Sequence, residues 1–236
     1  MGQPIDTGDI ELWTERRGQG PDVLLIAGLG DPAEAWQPQL NGLADRYLIT
    51  AFDNRGAGRT PLGEVHHLSA TTMANDAAAL LGALGVSNVH VAGFSMGSAI
   101  AQELALRHPE LVRSLILVST YDRPDALFRS QLNFWRWLPE VAPSERAFFE
   151  AFFTWVYTPR AHADGTVDHI FGLPTPDPWR RPRQNPPPSP RTPPSRRPHA
   201  FIQHASYRLL TAHSPVNVKC VKGGNPAIYW SANKPT

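Results

Sequence analysis

The sequence predicts an α/β fold with a doubly wound, mostly parallel sheet, on three observations from its first 120 residues. Short continuous apolar runs occur at 23–26 and 115–118, as expected of strands that are buried on both faces. An Ala/Leu-rich run with helical periodicity covers 74–84, and Gly85 predicts its end. Strands and helices alternate along this part of the chain, which favours a parallel sheet covered by helices on both faces.

The other elements continue this alternation. Trp36, Leu40 and Leu43 recur at helical spacing, and a further helix is predicted over 98–107. The glycines and the proline of 17–21 predict a turn after the first strand. The predicted strands, in chain order, are 10–14, 23–26, 47–52, 89–92 and 115–118. Residues 1–120 are therefore interpreted as one α/β core.

Residues 121–171 have a different character, because aromatic side chains crowd into them. Phe148, Phe152 and Trp155 recur at i, i+4 and i+7, which predicts a helix. We interpret this segment as a partial helical cap, or lid, on the sheet. Most of its aromatics are expected to pack the helices, and some are expected to line an apolar pocket.

Residues 172–236 are predicted to be a disordered or aberrant segment. All 21 acidic residues lie at or before Asp177, and ten of the 22 basic residues follow it. Prolines crowd 174–198, and such a composition buries too little apolar surface to offset the entropy of ordering. The Pro/Arg-rich tract lacks interleaved aromatics and a folded module, so we expect no nucleic-acid partner.

Composition excludes several further classes. The single cysteine, Cys220, cannot form an internal disulfide framework or a cysteine-rich metal site. No apolar run approaches the roughly 20 residues that span a bilayer, and no signal peptide is visible at the N-terminus. We therefore expect a cytoplasmic protein with no membrane partner, no metal and no other cofactor.

The residues that carry chemistry are Gly93-Phe94-Ser95-Met96-Gly97, which match the pattern G-x-S-x-G. The predicted strand over 89–92 leads into this pentapeptide, and a predicted helix leads out of it. In that context the serine lies on a strained strand-to-helix turn with its hydroxyl above the sheet, and the glycines make room for the tight backbone. The pattern predicts that Ser95 is a catalytic nucleophile. The alternative is a glycine-rich turn with an incidental serine.

A second glycine-containing turn supports this interpretation. The strand over 23–26 runs into Ala27-Gly28-Leu29-Gly30, and a helix follows. An oxyanion needs two preorganised backbone donors, one from such a loop and one from the residue after the nucleophile. Leu29 and Met96 occupy those places and are predicted to form the oxyanion hole.

With these motifs in order, the chain resembles the α/β-hydrolase superfamily, and within it the small esterase, enol-lactonase and cofactor-free haloperoxidase group. The resemblance also rests on the segment Asp53-Asn54-Arg55-Gly56-Ala57-Gly58-Arg59 and on 108–118. It covers 10–120 well and 121–170 loosely. Ala27 replaces the histidine that usually precedes the loop glycine, which leaves the backbone donor in place. Asp53 and Arg55 are expected to brace a turn beside the site.

The resemblance implies a serine hydrolase that acts on a small apolar ester or lactone through an acyl-enzyme on Ser95. Its triad follows the chain order Ser, then Asp or Glu, then His. No carboxylate follows Asp177, and no strand that could deliver a histidine is recognised after the cap. Weak candidates for the acid and base remain, namely Asp122, His199, His204 and His213.

The change of composition near 169–173 indicates a shifted reading frame or a recombined end. Two alternatives to an active hydrolase therefore stay open. One is a catalytically inactive, truncated or frameshifted hydrolase-like protein, which would be a poor catalyst with exposed sheet edges. The other is a module that binds an apolar ligand.

Overall fold

The computed structural model describes residues 2–65, 68–170 and 217–221. Seven strands form one sheet in the order β1-β2-β4-β3-β5-β6-β7. Pairs β1–β2 and β2–β4 are antiparallel, and the other neighbours are parallel. The predicted α/β class with a mostly parallel sheet is confirmed. The strands are Gln3–Asp6 (β1), Glu11–Gly18 (β2), Asp22–Ile26 (β3), Leu48–Phe52 (β4), Val89–Phe94 (β5), Val112–Val118 (β6) and Asn217–Val221 (β7).

The helices of the sheet unit lie between these strands. A short 3₁₀ helix, Ala33–Trp36, leads directly into α1, Gln37–Gly42. Helix α2 covers Ala70–Ala83, and its N-terminus is capped by Ser69, whose hydroxyl accepts from the Thr72 N–H at 3.1 Å. Helix α3 covers Met96–Arg107. The helices predicted over 74–84 and 98–107 begin four and two residues earlier than expected, and their C-terminal ends agree to within one residue.

The core lies on both faces of the central strands. One cluster gathers side chains of β3, β5, α2 and α3, with Leu24, Ile26, Leu80 and Leu104 fully buried. A second cluster on the other face contains Leu25, Leu40 and Ile49. Because alternate residues of β3 serve opposite clusters, this strand needs apolar side chains at successive positions. This explains its continuous apolar run.

Two strands were missed by the sequence prediction. β1 contains Pro4 and lies at an edge of the sheet, where a missing N–H is tolerated, so its pattern does not resemble that of a buried strand. β7 corrects the expectation that no strand follows the aromatic segment. It pairs in parallel with β6, with Asn217 opposite Ser114 and Val221 opposite Val118. Five residues with a lysine at their centre carry little periodic signal, and the pairing is decided by β6.

The chain divides into two compact units. The first holds the chain up to Asp125 together with the segment that contains β7, and the second begins at Ala126. The second unit contains helices Ala126–Val141 (α4), Glu145–Val156 (α5), Pro159–Ala163 (α6) and Thr166–Ile170 (α7). Helix α5 is the helix predicted from Phe148, Phe152 and Trp155. The role of this unit as a cap stays a prediction.

Among the helices that the structure describes, none is long and apolar enough to span a membrane. The Pro/Arg-rich tract 172–199, predicted to be disordered, lies outside the described residues.

Candidate functional site

The turn between β5 and α3 holds Ser95 in a strained backbone conformation. Its φ is 53° and its ψ is −117°, whereas few non-glycine residues adopt a positive φ. The Ser95 N–H donates to the carbonyl of Val118 at the end of the neighbouring β6, at 2.9 Å. The chain thus reverses from strand to helix within one residue. Such strain persists only where the surroundings hold it, and it is frequent at catalytic positions.

The two glycines of the motif allow this turn to close. A Cβ on Gly93 would collide with the backbone of Gly97 and would lie 2.7 Å from the Cα of Ser98. A Cβ on Gly97 would collide with the carbonyl of Ile26 and would lie 2.6 Å from the carbonyl oxygen of Ala27. Both positions therefore require glycine, and Gly97 packs the first turn of α3 against the end of β3.

Hydrogen bonds fix the backbone of Ser95, whereas its hydroxyl makes none with the described residues. Ser98, which is buried, donates to the Ser95 carbonyl from its backbone N–H at 2.9 Å and from its hydroxyl at 2.5 Å. Ser95 itself is partly exposed, and its Oγ has no hydrogen-bond partner among the described residues. The hydroxyl is therefore held in place by its backbone and is accessible to another molecule.

The glycine-containing loop after β3 lies beside this turn. Gly28 is buried, Leu29 is 37% exposed, and the Asp31 N–H closes the loop on the Gly28 carbonyl at 3.4 Å. No described residue accepts a hydrogen bond from the backbone N–H of Leu29 or of Met96. The two amides predicted to form the oxyanion hole therefore have no competing acceptor in the described part of the chain.

The two residues after β4 hold this loop at its ends. Asp53 is fully buried, and its carboxylate accepts from the backbone N–H of Ala33 at 2.6 Å and of Arg59 at 2.7 Å. Asn54 is 1% exposed and donates from Nδ2 to the Ala27 carbonyl at 3.1 Å. Asp53 was expected to brace a turn, whereas Asn54 was not among the residues expected to do so. The available signal was its position directly after a buried strand, beside the predicted loop.

Arg55, which was also expected to brace a turn, forms an ion pair with Asp76 of α2. Its guanidinium forms two bonds to the Asp76 carboxylate, at 2.8 and 2.5 Å, and a third to the Leu62 carbonyl at 3.3 Å. The side chains of the pair are 5% and 9% exposed. The hydrogen bond to Asp76 raises the pKa of Arg55, so the guanidinium remains charged. It anchors the segment after β4 to α2.

One further carboxyl group lies against the glycine-containing loop. A Cβ on Gly28 would be 2.7 Å from Asp31 Oδ2 and 3.3 Å from the ring of Phe94. Burial raises the pKa of Asp31, and a hydrogen bond from the Gly28 backbone opposes this in part. The loop therefore carries an acidic group whose charged form is disfavoured.

Among the described residues, no candidate for the acid or the base lies beside Ser95. Asp122 follows β6 but is exposed, and its carboxylate accepts from the N–H of Arg123 at 2.8 Å. His199, His204 and His213 lie outside the described residues. The histidine side chains that are described contact other groups: His90 contacts Ser114, His108 contacts Asn75, and His162 contacts the Phe153 carbonyl. Within the described ranges, no cluster of His, Cys, Asp or Glu could hold a metal ion.

A family model and several curated proteins match parts of this sequence. A family model described as the alpha/beta hydrolase fold matches residues 21–211. The chain is 43% identical over 122 residues to a protein of Azorhizobium caulinodans named "Putative carbamate hydrolase RutD", covering 52% of this chain and 46% of that protein. A protein of the same name from Agrobacterium fabrum is 35% identical over 108 residues, 45% of this chain and 41% of that protein. The chain thus matches less than half the length of these curated relatives.

Solved structures resemble the chain as well. Rv0554 from Mycobacterium tuberculosis matches 94% of this chain and 80% of its own at a TM-score of 0.71, with 24% identity, which shows the fold alone. A thermophilic esterase from Thermogutta terrifontis matches 61% of this chain and 54% of its own, with 29% identity and a TM-score of 0.53.

Proposed function

The chain belongs to the α/β-hydrolase fold family, and from that membership we propose that it is a serine hydrolase in which Ser95 attacks a carboxylic ester or lactone. The observation that carries the proposal is the backbone of Ser95, with its positive φ between β5 and α3. This conformation holds the hydroxyl on the turn, and the fold stabilises it through the Val118 and Ser98 hydrogen bonds.

The proposed reaction has two acyl transfers. Ser95 Oγ bonds to the carbonyl carbon while a base takes its proton, and the bond from that carbon to the alkoxy oxygen then breaks. The leaving alcohol receives a proton, and the acyl group remains on Ser95. Water next attacks the acyl-enzyme, releasing the carboxylic acid and restoring the hydroxyl.

Two backbone amides are proposed to stabilise the negative oxygen that forms in each step. Leu29 N–H comes from the loop after β3, and Met96 N–H comes from the first residue of α3. Neither is engaged by an acceptor among the described residues. Donors aimed at a developing oxyanion lower the barrier, and one such donor contributes roughly 10²–10³ in turnover.

A general base is the remaining requirement, because a serine hydroxyl is a weak nucleophile near neutral pH. The candidates for this base are three histidines that follow the aromatic segment, namely His199, His204 and His213. In this proposal one of them takes the proton of Ser95. Losing that base costs on the order of 10⁶ in turnover in serine hydrolases of this logic.

Carbamate hydrolysis is a second candidate, favoured by the names of the curated relatives. A carbamate has the same acyl carbon and passes through the same kind of tetrahedral oxyanion, so the same nucleophile and donors would serve. The two substrates differ in the atom on the acyl side of the carbonyl carbon, which is carbon in an ester and nitrogen in a carbamate. A paired assay with an ester and a carbamate that share one leaving group separates them.

The test is hydrolysis of p-nitrophenyl acetate by the purified chain, Ser95→Ala and the matched control Ser114→Ala. Turnover is expected to fall to the buffer rate in Ser95→Ala and to persist in Ser114→Ala. A fluorophosphonate should add one label per chain, and only when Ser95 is present. Slow hydrolysis that is equal in all three proteins, without labelling, would overturn the proposal and favour an inactive or ligand-binding chain.

The base is tested by replacing His199, His204 and His213 one at a time with alanine. One variant should lose turnover to the level of Ser95→Ala. If all three keep the turnover of the unaltered chain, the base is a different group.

A further inference from the structure

We propose that Asn54 is a positioning residue for the oxyanion hole. Its side-chain amide holds the carbonyl of Ala27, which sets the direction of the Leu29 N–H relative to Ser95. The inference rests on the proposed function, since it deepens the role of the same site. It concerns a residue that does not touch the substrate and acts through the loop.

The sheet brings Asn54 and Ala27 together. β3 and β4 are parallel neighbours, and Ile26 is paired with Phe52. Ala27 is the first residue beyond β3 and Asn54 is the second beyond β4, so both lie at the same edge of the sheet. The Nδ2 group donates to the Ala27 carbonyl oxygen at 3.1 Å, in a buried environment. In such surroundings the bond fixes the orientation of the peptide plane that leads into the loop.

The same carbonyl also contacts the nucleophile turn. A Cβ on Gly97 would lie 2.6 Å from Ala27 O, which shows how closely the first turn of α3 approaches this oxygen. The Ala27 carbonyl therefore lies between the amide of Asn54 and the helix that begins at Met96. A rotation of this peptide plane would move the Leu29 N–H and alter the packing beneath the Met96 N–H together.

The far end of the loop is held independently. Asp53 accepts from the Ala33 N–H at 2.6 Å, so consecutive residues 53 and 54 fix the loop at its two ends. Asp53 also accepts from Arg59, and its loss would disturb a second segment. Among the described residues, the Asn54 side chain bonds to this loop alone. Its replacement is therefore the more selective way to release the loop.

The carboxamide contributes little to folding. Asn54 Oδ1 is buried and has no hydrogen-bond partner among the described residues. An unpaired buried acceptor opposes the stability gained from the Nδ2 bond. Replacement by the similarly sized, apolar leucine removes both effects at once. The melting temperature of Asn54→Leu should therefore stay within about 4 °C of that of the unaltered chain.

The first experiment measures ester hydrolysis and thermal unfolding of Asn54→Leu. The kcat should fall about 10- to 100-fold with little change in KM, because the loss concerns a donor that acts on the transition state. The matched control is Thr14→Val, which also removes a buried side-chain donor to a backbone carbonyl. Thr14 is 3% exposed, and its hydroxyl donates to the Leu12 carbonyl at 3.0 Å, within β2 and away from the loop. This control should keep its kcat.

The second experiment uses Asn54→Asp and pH. An ionised aspartate cannot donate to the Ala27 carbonyl, but a protonated one can, and burial raises the pKa of a carboxyl group. The kcat of Asn54→Asp relative to the unaltered chain should therefore rise as pH falls, whereas the ratio for Asn54→Leu should stay flat. Equal ratios at every pH would overturn the inference.

A third measurement separates this inference from the proposed function. In protein labelled with ¹⁵N-leucine, the Leu29 amide signal, identified by its loss in Leu29→Met, should shift in Asn54→Leu and stay in place in Thr14→Val. If the chain does not hydrolyse esters, the proposed function fails and this signal alone decides the role of Asn54. An unmoved Leu29 signal, or an unchanged kcat in an active chain, would overturn the inference.

Discussion

The sheet unit and the helical unit place their large apolar side chains in different environments. In the sheet unit, Leu24, Ile26 and Leu104 are completely buried between the sheet and its helices. In the helical unit, Trp137 and Trp155 are 51% and 54% exposed. Among the described residues of the helical unit, the buried ones are Leu138, Phe153 and Val167. The hydrophobic contribution to stability is therefore concentrated in the sheet unit.

The helical unit is organised by contacts among rings instead. Trp135 lies 4.9 Å from Phe152 between ring centroids, which joins α4 to α5, and Phe134 lies 6.5 Å from Trp155. Phe148 stacks on Phe152 at 5.9 Å. Aromatic pairs of this kind contribute about 0.5–1.5 kcal/mol each beyond the area they bury. A dense aromatic sequence therefore does not by itself indicate a buried core.

The largest expected effect is the loss of the buried ion pair in the sheet unit. Asp76→Ala should lower the free energy of unfolding by about 3–5 kcal/mol, because the Arg55 guanidinium is left buried without its partner. Its counterpart in the helical unit is Glu150→Ala, which breaks an exposed pair with Arg146 at 2.6 Å. That change should cost less than about 1 kcal/mol. Urea denaturation of the two variants measures both values, and equal losses would contradict the comparison.

Truncation of one apolar side chain in each unit tests the comparison directly. Leu104→Ala should cost about 2–5 kcal/mol, since it leaves a cavity in a packed core. Trp155→Ala removes a larger side chain but should cost no more than about 2 kcal/mol, because half of the indole already faces solvent and its ring contact with Phe134 contributes little more than about 1 kcal/mol. Chemical denaturation followed by circular dichroism reports both. A larger loss in Trp155→Ala would show that the helical unit depends on its exposed aromatics.

The backbone strain at Ser95 should appear as a gain in stability when it is released. Ser95→Gly should raise the free energy of unfolding by about 1 kcal/mol, because glycine adopts a φ of 53° without steric cost. The melting temperature should rise by roughly 2–4 °C. Ser95→Ala retains the Cβ and should show no such rise. A destabilised Ser95→Gly would mean that the turn is not strained.

The smallest expected effect concerns His90 and pH. Burial and the nearby Arg113 lower the pKa of His90 below 6.5, so the folded state favours the neutral imidazole that contacts Ser114. Stability from this group is present above pH 6.5 and is lost as pH falls through the lower folded-state pKa. The melting temperature of the unaltered chain should therefore fall slightly more than that of His90→Asn between pH 7.5 and 5.5. Parallel curves would exclude this contribution.

Local patterns were sufficient for much of the fold and for the glycine-flanked turn at Ser95. The continuous apolar run of β3 reflects a strand that serves both core clusters, so it could be recognised without knowledge of its neighbours. Gly93 and Gly97 could be interpreted in the same way, since each is required by a close backbone approach within or beside the turn. β1 and β7 could not be recognised, because Pro4 in the one and a lysine in the other obscure any periodic signal. Their strand character depends on β2 and β6.

The sequence by itself determined the α/β alternation, the glycine-flanked Ser95 and the candidate loop at 27–30, since each depends on interactions between residues close in the chain. The tertiary structure decided that β7 pairs with β6, that Arg55 reaches Asp76 and that Asn54 holds Ala27. These contacts join segments 21 to more than 100 residues apart. Many alternative partners are compatible with such residues in the sequence. The parallel register of neighbouring strands selects among them, because it brings the carboxyl ends of β3, β4 and β5 to one edge of the sheet.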